Sequence, residues 1–586
     1  MKIKINMQHE KRVKKVILGV ILLLILLVST FYLQQKSGYY VDEGMTLFLA
    51  NGNYNGAVTS KSDKGIKDFI AEFVIKDNVT HTIENLSSML QELMSAGNYS
   101  QEGTVEWYDA ARKMLQGERA WVDGQELFRQ LTVSRGERFQ YIQVYINQAM
   151  DVHPPFYYLM VHTVFSVFPG TFHNAYLFCI NIFALLLTCI MIYLIAKELN
   201  EQPAFPFLAV ILFGFSQGFL SCAMYFRMYA WLTFFVSVTI YLHVLLWKRN
   251  YELDKKLAYA LMGTAVLGFY THYYYIVFLF PLFCITMVYM LYRKKKKEFR
   301  IYFFKFLLAG VLSLLIWPFS VYHILFGYRG TEAIANLAQA GLVERIKIYL
   351  DIVGQAFYSG GIWLFFLFFL LGIVITLRKI KENKISAVLN RPEIAMVAAG
   401  VFYLLIVGQI APGRSDRYIM CIYPIIALCT AETLVRISEW LPCSRKIKKG
   451  LPSILTFIMV LLSLSITTPN YLYLEQREKE LGIELSPGNY NLLMVADDDY
   501  QGFPWAITLS EFNQVLVLGQ EELSVLKEQK PEEPNREMVL YVLDGLDQSK
   551  ILQSVCGYLD CSCDIIVEIS SGMEGFQAYL LSAHGE

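Results

Sequence analysis

Charge is the property in which this 586-residue chain is poorest. Charged residues make up 17% of the sequence, whereas about 25% is usual in soluble domains. The 51 basic residues equal the 51 acidic ones, so there is no positive excess to attract a nucleic-acid backbone. With 55% hydrophobic residues, the chain is also too apolar for a disordered protein. The composition therefore excludes a nucleic-acid-binding protein and a disordered one.

Cysteines with metal-type spacing are also missing. The ten cysteines are scattered, mostly in apolar segments, where they are typical of small core residues. Only Cys556, Cys561 and Cys563 lie close enough to suggest a disulfide bond, and three cysteines leave one over.

Long uncharged runs are the dominant positive feature. Runs of 17 or more residues recur from Val16 to Thr468, long enough to cross a hydrocarbon layer of about 30 Å as helices. The predicted fold is a polytopic all-α membrane protein with about eleven transmembrane helices. The predicted spans are 16–33, 175–196, 203–224, 228–247, 257–270, 273–292, 301–325, 361–377, 394–411, 418–435 and 451–468.

One apolar segment, 156–168, lies between two prolines and is predicted not to cross. Its thirteen residues would cover only about 20 Å as a helix, so an interfacial helix over 153–169 suits it better. With this segment excluded and the amino terminus in the cytoplasm, the interior connections carry 27 Lys and Arg residues and the short exterior ones carry six. The predicted location is a bacterial plasma membrane, with the carboxyl-terminal domain outside.

The predicted domains follow from this topology. A cytoplasmic basic tail (1–15) precedes a membrane domain (16–468), whose first exterior loop (34–152) has helical patches at 82–96 and 105–116. An exterior domain follows at 469–586, where apolar strands alternate with helical stretches and predict a small α/β fold. Its predicted strands are Asn491–Ala496, Gln514–Gly519, Met538–Asp544 and Gln577–Ser582. The turns between them lack a phosphate-binding glycine fingerprint, so no chemistry is assigned to this domain.

Unusual polar residues collect at the predicted exterior face. They come from separate segments: Asp42 with Glu43, His153, Arg227, His272, and Arg414 with Arg417. Each has an ordinary structural explanation, such as a helix start, a stiff turn or a contact with lipid headgroups. Together they favour a site, because a carboxylate can accept the proton of an attacking hydroxyl or amine while arginine forks hold a phosphate.

The order of these residues resembles that of the membrane-embedded C-type fold glycosyltransferases, the superfamily of the protein O-mannosyltransferases and the bacterial aminoarabinose transferases of lipid A. The likeness covers about 16–440. It is carried by five short elements in order: Asp42-Glu43, His153–Tyr158, Tyr225–Ala230, Thr271–Tyr274 and Arg417-Tyr418. The chain departs from this pattern at Tyr225, where relatives often carry glutamate, so a second carboxylate is missing there.

The resemblance implies an inverting glycosyltransferase that takes a sugar from a polyprenyl-phosphate donor in the membrane lipid. The acceptor would be an envelope glycan, lipid or protein on the exterior face. Asp42 would be the general base with support from Glu43, and the donor phosphate would be bound by Arg227, Arg414 and Arg417. The implied cleft is lined by imidazole and phenol side chains, namely His153, Tyr157, Tyr229, His272, Tyr273 and Tyr418. Because relatives differ in metal use, a divalent ion held by His153, His272 and Asp42 stays open, and no metal is predicted.

Two other functions stay open at this point. One is a carrier that moves a lipid-linked glycan across the bilayer; its usual repeats and mid-membrane broken helices are not evident in the sequence. The other is a cell-surface interaction protein for which the membrane part is an anchor, although eleven spans are more than an anchor needs.

Overall fold

A computed structural model describes most of the membrane part and the carboxyl-terminal domain. The described residues are 2–52, 120–149, 151–325, 327–338, 341–361, part of 363–377, 391–442, 444–473, 487–497, 499–532, 537–559, 561–569 and 575–583. The predicted helical patches 82–96 and 105–116 lie outside the described residues, as does much of the predicted span 361–377.

Helices dominate up to residue 466. In chain order they are α1 (Lys2–Leu33), α2 (Val41–Asn51), α3 (Gly124–Leu131), α4 (Tyr141–Ala149), α5 (Phe156–Val167), α6 (Asn174–Leu199), α7 (Phe205–Gly214), α8 (Gln217–Met224), α9 (Tyr229–Lys248), α10 (Lys255–Thr271), α11 (Tyr274–Tyr292), α12 (Lys296–Ile316), α13 (Phe319–Leu325), α14 (Tyr328–Ala338), α15 (Leu342–Tyr358), α16 (Pro392–Ile410), α17 (Tyr423–Trp440) and α18 (Arg445–Ile466).

The prediction of a polytopic helical membrane protein is confirmed. Within the described residues, eight helices are long and apolar enough to cross a membrane, or nine if α7 and α8 form one span bent by 52°. The predicted span 257–270 is α10, which has 17 residues. The predicted span 301–325 is divided, because α12 ends at Ile316 and α13 begins at Phe319. The ring of Pro318 disfavours the helical conformation of the preceding residue, Trp317. The segment predicted not to cross forms α5, which is only 12 residues long.

The two ends of the helix bundle differ in their content of basic residues. Basic side chains lie at one end of the bundle, where α6, α9, α11 and α17 end and α10, α12, α16 and α18 begin. We call the opposite end, which holds the residues of the candidate site, the site end. The turns there join α8 to α9, α10 to α11 and α16 to α17, so segments far apart in sequence meet at one level.

The carboxyl-terminal domain is built on a six-stranded sheet in the order β1-β3-β2-β4-β6-β5. Its strands are β1 (Val122–Asp123), β2 (Asn491–Ala496), β3 (Gln514–Gly519), β4 (Met538–Leu543), β5 (Cys561–Ile569) and β6 (Phe576–Ala583). Strand β2 runs parallel to β3 and β4, and all six of its residues are buried. The uninterrupted apolar run of β2 thus fits a central strand covered on both faces. Helix α20 (Gln548–Leu559) packs against β5, after the short α19 (Ala506–Leu509).

The predicted first exterior region, 34–152, contributes to this sheet. Strand β1 lies in that region and pairs antiparallel with β3, with Val122 opposite Val515. Two close backbone approaches join the parts. A Cβ atom at Gly44 in α2 would lie 2.0 Å from the Phe503 carbonyl oxygen, and one at Gly124 in α3 would lie 1.9 Å from that of Phe512. Glycine is therefore needed at both positions for the domain to sit on α2 and α3.

Cys556 in α20 forms a disulfide bond, as the close spacing of the last three cysteines suggested. Strands β2, β3, β4 and β6 correspond to the four predicted from the sequence, with ends that differ by no more than a residue. The prediction omitted β1, which is only two residues long, and β5.

Candidate active site

Helix α2 carries Asp42 in its first turn. Tyr40, the residue just before the helix, donates its backbone N–H to Glu43 Oε2 at 2.6 Å, and this capping contact fixes where the helix starts. Asp42 Oδ2 accepts the Tyr225 hydroxyl at 2.8 Å and forms an ion pair with Arg417 Nη1. Asp42 Oδ1 accepts no hydrogen bond from a described residue, and the side chain is 22% exposed. One edge of this carboxylate is thus held, and the other is open.

Arg417 comes from the short helical turn Asp416–Tyr418 between α16 and α17. Besides Asp42, its Nη1 atom donates to the Tyr225 hydroxyl at 2.7 Å, and its Nη2 atom donates to the Tyr418 hydroxyl at 2.9 Å. The guanidinium lies 5.0 Å from the ring centre of Tyr40 and 4.9 Å from that of Tyr418, within cation–π range. Its Nε atom is buried and has no hydrogen-bond partner among the described residues.

Arg227 approaches Asp42 from the other side, in the turn between α8 and α9. Its Nη1 atom donates to the Asp42 backbone carbonyl at 3.2 Å, to Thr46 Oγ1 at 2.6 Å and to the Tyr158 hydroxyl at 2.9 Å. The Arg227 Nε atom, like that of Arg417, is buried without a described hydrogen-bond partner. Two guanidiniums from distant segments therefore contact Asp42, Arg417 at its carboxylate and Arg227 at its backbone carbonyl, and each keeps an N–H that described residues do not use.

The charge of Asp42 is set by opposing influences. Burial alone would raise the pKa of Asp42, but Arg227, Arg417 and the Tyr225 hydrogen bond lower it by more, so the net pKa lies below its ordinary value. Asp42 is therefore ionised at neutral pH, as a proton acceptor must be.

Asp151 holds His153 beside Arg227. The His153 Nδ1–H donates to Asp151 Oδ2 at 2.7 Å, which leaves Nε2 facing Arg227 Nη2 at 3.4 Å. Burial lowers the pKa of His153 more than Asp151 raises it, so the neutral imidazole is favoured. The ring of His272 lies 6.0 Å from that of His153, and its Nδ1 accepts the backbone N–H of Tyr274 at 3.0 Å. Both predicted histidines thus stand at the site.

Glu43 is 1% exposed and shares no hydrogen-bond partner with the Asp42 carboxylate. It accepts the backbone N–H of Phe226 at 2.8 Å and forms a buried ion pair with Lys36 Nζ at 3.2 Å. Lys36 Nζ also donates to the Tyr471 carbonyl at 2.7 Å. The pair joins the segments that carry Asp42, Arg227 and Tyr471, so Glu43 has the contacts of a positioning group.

The Lys36–Glu43 pair gives a stability prediction. We expect Lys36→Met or Glu43→Gln alone to lower the free energy of unfolding by about 3 kcal/mol, because each leaves one buried charge without its partner. The double variant should recover most of that loss, since neither charge remains. Thermal unfolding of the four proteins in detergent measures this, and additive losses would contradict the ion-pair interpretation.

Tyrosines pack tightly around the charged groups. The Tyr225 ring stacks on Tyr471, with centroids 4.1 Å apart, and on Tyr229, with centroids 5.6 Å apart. The ring centroid of Tyr229 lies 5.3 Å from that of His272. The Tyr229 and Tyr418 rings pack edge to face, with centroids 6.4 Å apart. Of the predicted lining residues, Tyr229 and Tyr418 therefore lie beside the arginines.

Three predicted residues lie elsewhere. Arg414 is exposed and pairs with Glu344 at 3.7 Å, because the turn that points Arg417 inwards points Arg414 outwards. Tyr157 is fully buried and donates to Asn181 at 3.2 Å, whereas its neighbour Tyr158 faces Arg227. The Tyr273 hydroxyl contacts His323 and Trp317 and makes no hydrogen bond to Asp42, Arg227 or Arg417.

The residues left open as metal ligands do not fit a metal ion. In the described part of the chain, no group of three or more His, Cys, Asp or Glu side chains is arranged to hold one. His153 Nε2, the ring nitrogen that Asp151 leaves without a proton, faces the positively charged Arg227 Nη2 at 3.4 Å, and this charge disfavours a cation there.

Comparison with known proteins finds similarity only in solved structures. No family model and no curated protein matches the chain. ArnT from Cupriavidus metallidurans bound to undecaprenyl phosphate is 9% identical, with 74% of this chain and 89% of ArnT covered and a TM-score of 0.45. Its apo structure is also 9% identical, with 83% and 99% covered and a TM-score of 0.44.

The chain is similar to ArnT. It is also similar to the Archaeoglobus fulgidus oligosaccharyltransferase tethered with an acceptor peptide, at 11% identity, with 70% of this chain and 60% of that one covered and a TM-score of 0.35.

Sequence reasoning missed five residues that contact the charged groups: Lys36, Asp151, Tyr158, Tyr225 and Tyr471. Asp151 carried a usable signal, because a carboxylate two residues before a histidine can fix its tautomer. Tyr225 was noted only as the position where a glutamate is missing. In the structure its hydroxyl takes part by donating to Asp42 and accepting from Arg417.

Proposed function

We propose that the protein is an inverting glycosyltransferase that moves a sugar from a polyprenyl-phosphate donor to an acceptor at the exterior face of the plasma membrane. The observation that carries the proposal is the meeting of Asp42 with Arg227 and Arg417 at one end of a bundle of membrane-spanning helices. The lipid part of such a donor lies in the bilayer, and its phosphate would reach this level.

In the proposed reaction, the acceptor hydroxyl or amine attacks the anomeric carbon from the face opposite the phosphate. The new bond to that carbon forms as the carbon–oxygen bond to the phosphate breaks, and the polyprenyl phosphate leaves with the bonding electrons. The acceptor proton passes to Asp42, whose Oδ1 edge is open for it. The result is a glycosylated acceptor with inverted configuration.

The arginines would stabilise the charge that develops on the leaving phosphate. The unused Nε–H groups of Arg227 and Arg417 are donors suited to phosphate oxygens, and they lie in a buried setting where such contacts are strong. As phosphate competes for Arg417, the hold of this arginine on Asp42 Oδ2 would weaken. Asp42 would then become more basic when the donor is bound, since Arg417 is one cause of its low pKa.

Two features support an exterior position for the site. Lysines and arginines concentrate at the opposite helix ends, which is typical of the cytoplasmic side. The disulfide at Cys556 lies in the domain at the site end, and disulfides persist in oxidising compartments. A carrier is less well supported, because the charged cluster lies at helix ends and a carrier site is expected near mid-depth.

The function is tested by comparing the envelope glycans of cells with and without the protein by mass spectrometry. We expect one sugar residue to be absent from one class of envelope molecule in the deletion strain and restored by the wild-type gene. Loss of a whole glycan, with its lipid-linked form accumulating inside, would favour the carrier. Unchanged glycans would count against both.

A further inference from the structure

The segment 470–473 connects α18 to the carboxyl-terminal domain and lies against the candidate site. Its backbone is held from two sides: the Asn470 N–H donates to Ser221 Oγ at 2.9 Å, and the Ser37 N–H donates to the Leu472 carbonyl at 2.9 Å. On the face towards the site, the Tyr471 ring stacks on Tyr225, whose hydroxyl contacts both Asp42 and Arg417. The segment is thus in direct contact with a residue that touches the charged pair.

Asp416 fixes this segment to the turn that carries Arg417. One Asp416 oxygen accepts the Tyr471 hydroxyl, and the other accepts Asn470 Nδ2 at 2.8 Å. The side chain of Asp416 is thereby engaged by the segment and not by its neighbour Arg417. A carboxylate next to Arg417 would otherwise be free to compete with a phosphate for the guanidinium.

The backbone of the segment is strained. Tyr471 has φ of +67° and Tyr473 has φ of +54°, values that a bulky side chain rarely adopts. Such conformations persist only where surrounding contacts enforce them, and they cluster at functional sites. Here the enforcing contacts include Lys36 Nζ on the Tyr471 carbonyl and Ser37 Oγ on the Tyr473 carbonyl.

We propose that Asp416 and Tyr471 are positioning residues that hold Arg417 in the orientation needed to bind the donor phosphate. This inference rests on the proposed function and adds to it a role for the segment that leads into the carboxyl-terminal domain. Tyr471 acts through two routes, its hydroxyl on Asp416 and its ring on Tyr225. Both routes end at Arg417, since Asp416 is its chain neighbour and Tyr225 is its hydrogen-bond partner.

The test measures binding of undecaprenyl phosphate to the full-length protein in nanodiscs. Tyr471→Phe keeps the stacked ring and removes only the hydroxyl, so we expect the dissociation constant to rise about ten-fold, the effect of one well-placed hydrogen bond. Tyr473→Phe is the matched control, because this tyrosine lies in the same segment and its hydroxyl is not among the groups that bond to Asp416, which are those of Tyr471 and Asn470. The control should bind as the wild type does.

A double-mutant cycle with Arg417→Lys separates positioning from a general loss of structure. If Tyr471 acts through Arg417, Tyr471→Phe should change binding by less than two-fold once Arg417 has been replaced. An equal loss in both backgrounds would overturn the proposal, as would unchanged binding by Tyr471→Phe in the wild-type background. If Arg417→Lys itself binds undecaprenyl phosphate as tightly as the wild type, the assigned role of Arg417 in the proposed function fails as well.

Discussion

Asp42→Asn is expected to lower kcat for sugar transfer by roughly a thousand-fold, within the range reported for losing a general base. Asparagine has nearly the same shape and can still accept hydrogen bonds from Arg417 and Tyr225 through its carbonyl oxygen. It cannot take up the acceptor proton. Donor binding should therefore survive while the chemical step is lost. Turnover of a defined donor by purified protein, together with direct binding of undecaprenyl phosphate, measures the two quantities separately.

The matched control for this change is Asp254→Asn. Asp254 caps α10 by accepting the Leu257 N–H at 2.7 Å, and asparagine caps a helix about as well as aspartate. This control should transfer sugar at the wild-type rate. Near-normal turnover by Asp42→Asn would contradict the assignment of Asp42 as the proton acceptor. A variant that failed to fold would be recognised by its failure to bind undecaprenyl phosphate.

Arg417→Lys is expected to lower kcat/KM for the donor by roughly a hundred-fold, an effect typical of removing a group that stabilises developing charge. Lysine retains the positive charge, but it is a point donor and cannot replace the fork that reaches Asp42, Tyr225 and Tyr418 together. Most of the loss should appear in use of the donor. Initial rates measured with the donor concentration varied, and then with the acceptor concentration varied, distinguish a loss in donor use from a loss in acceptor use.

Two other arginine variants are compared with Arg417→Lys. Arg436→Lys at the opposite end of α17 changes a guanidinium that pairs with Glu432 and Glu439, and it should leave donor use unaltered. Arg414→Lys tests the remaining predicted phosphate ligand. Because Arg414 is exposed and lies apart from Asp42, we expect a loss of no more than a few-fold. Equal losses in the use of donor and acceptor by Arg417→Lys would assign Arg417 to overall site structure.

The sequence predicts groups at helix ends well, because chain topology alone determines their level. Asp42, Arg227, His272 and Arg417 lie just beyond or before apolar runs, so a correct assignment of spans places them at one end of the bundle. The side to which each residue points is not determined in this way. Arg414 and Arg417 are three residues apart in a short turn, and only the fold shows that one faces Asp42 and the other faces outwards.

Aromatic contacts were harder to predict for a physical reason. The chain has 38 tyrosines, and the periodic pattern that buries them does not distinguish a packing ring from one beside a charge. Tyr157 and Tyr158 are adjacent, yet one supports Asn181 and the other reaches Arg227. Strand β1 is a similar case, since two residues carry no strand signal of their own and depend on β3 for their hydrogen bonds.

The pairing of Val122 with Val515 has a consequence for biosynthesis. Helix α2 leaves the ribosome early, whereas strand β3, which pairs with β1, and the Phe503 backbone that packs on Gly44 are made only after α18 has emerged. In the nascent chain, α2 and β1 thus have to stay unassembled while the whole membrane bundle is inserted. Final packing of α2 is therefore a late event, and a chain truncated after α18 would contain Asp42 without the Phe503 backbone that packs on Gly44.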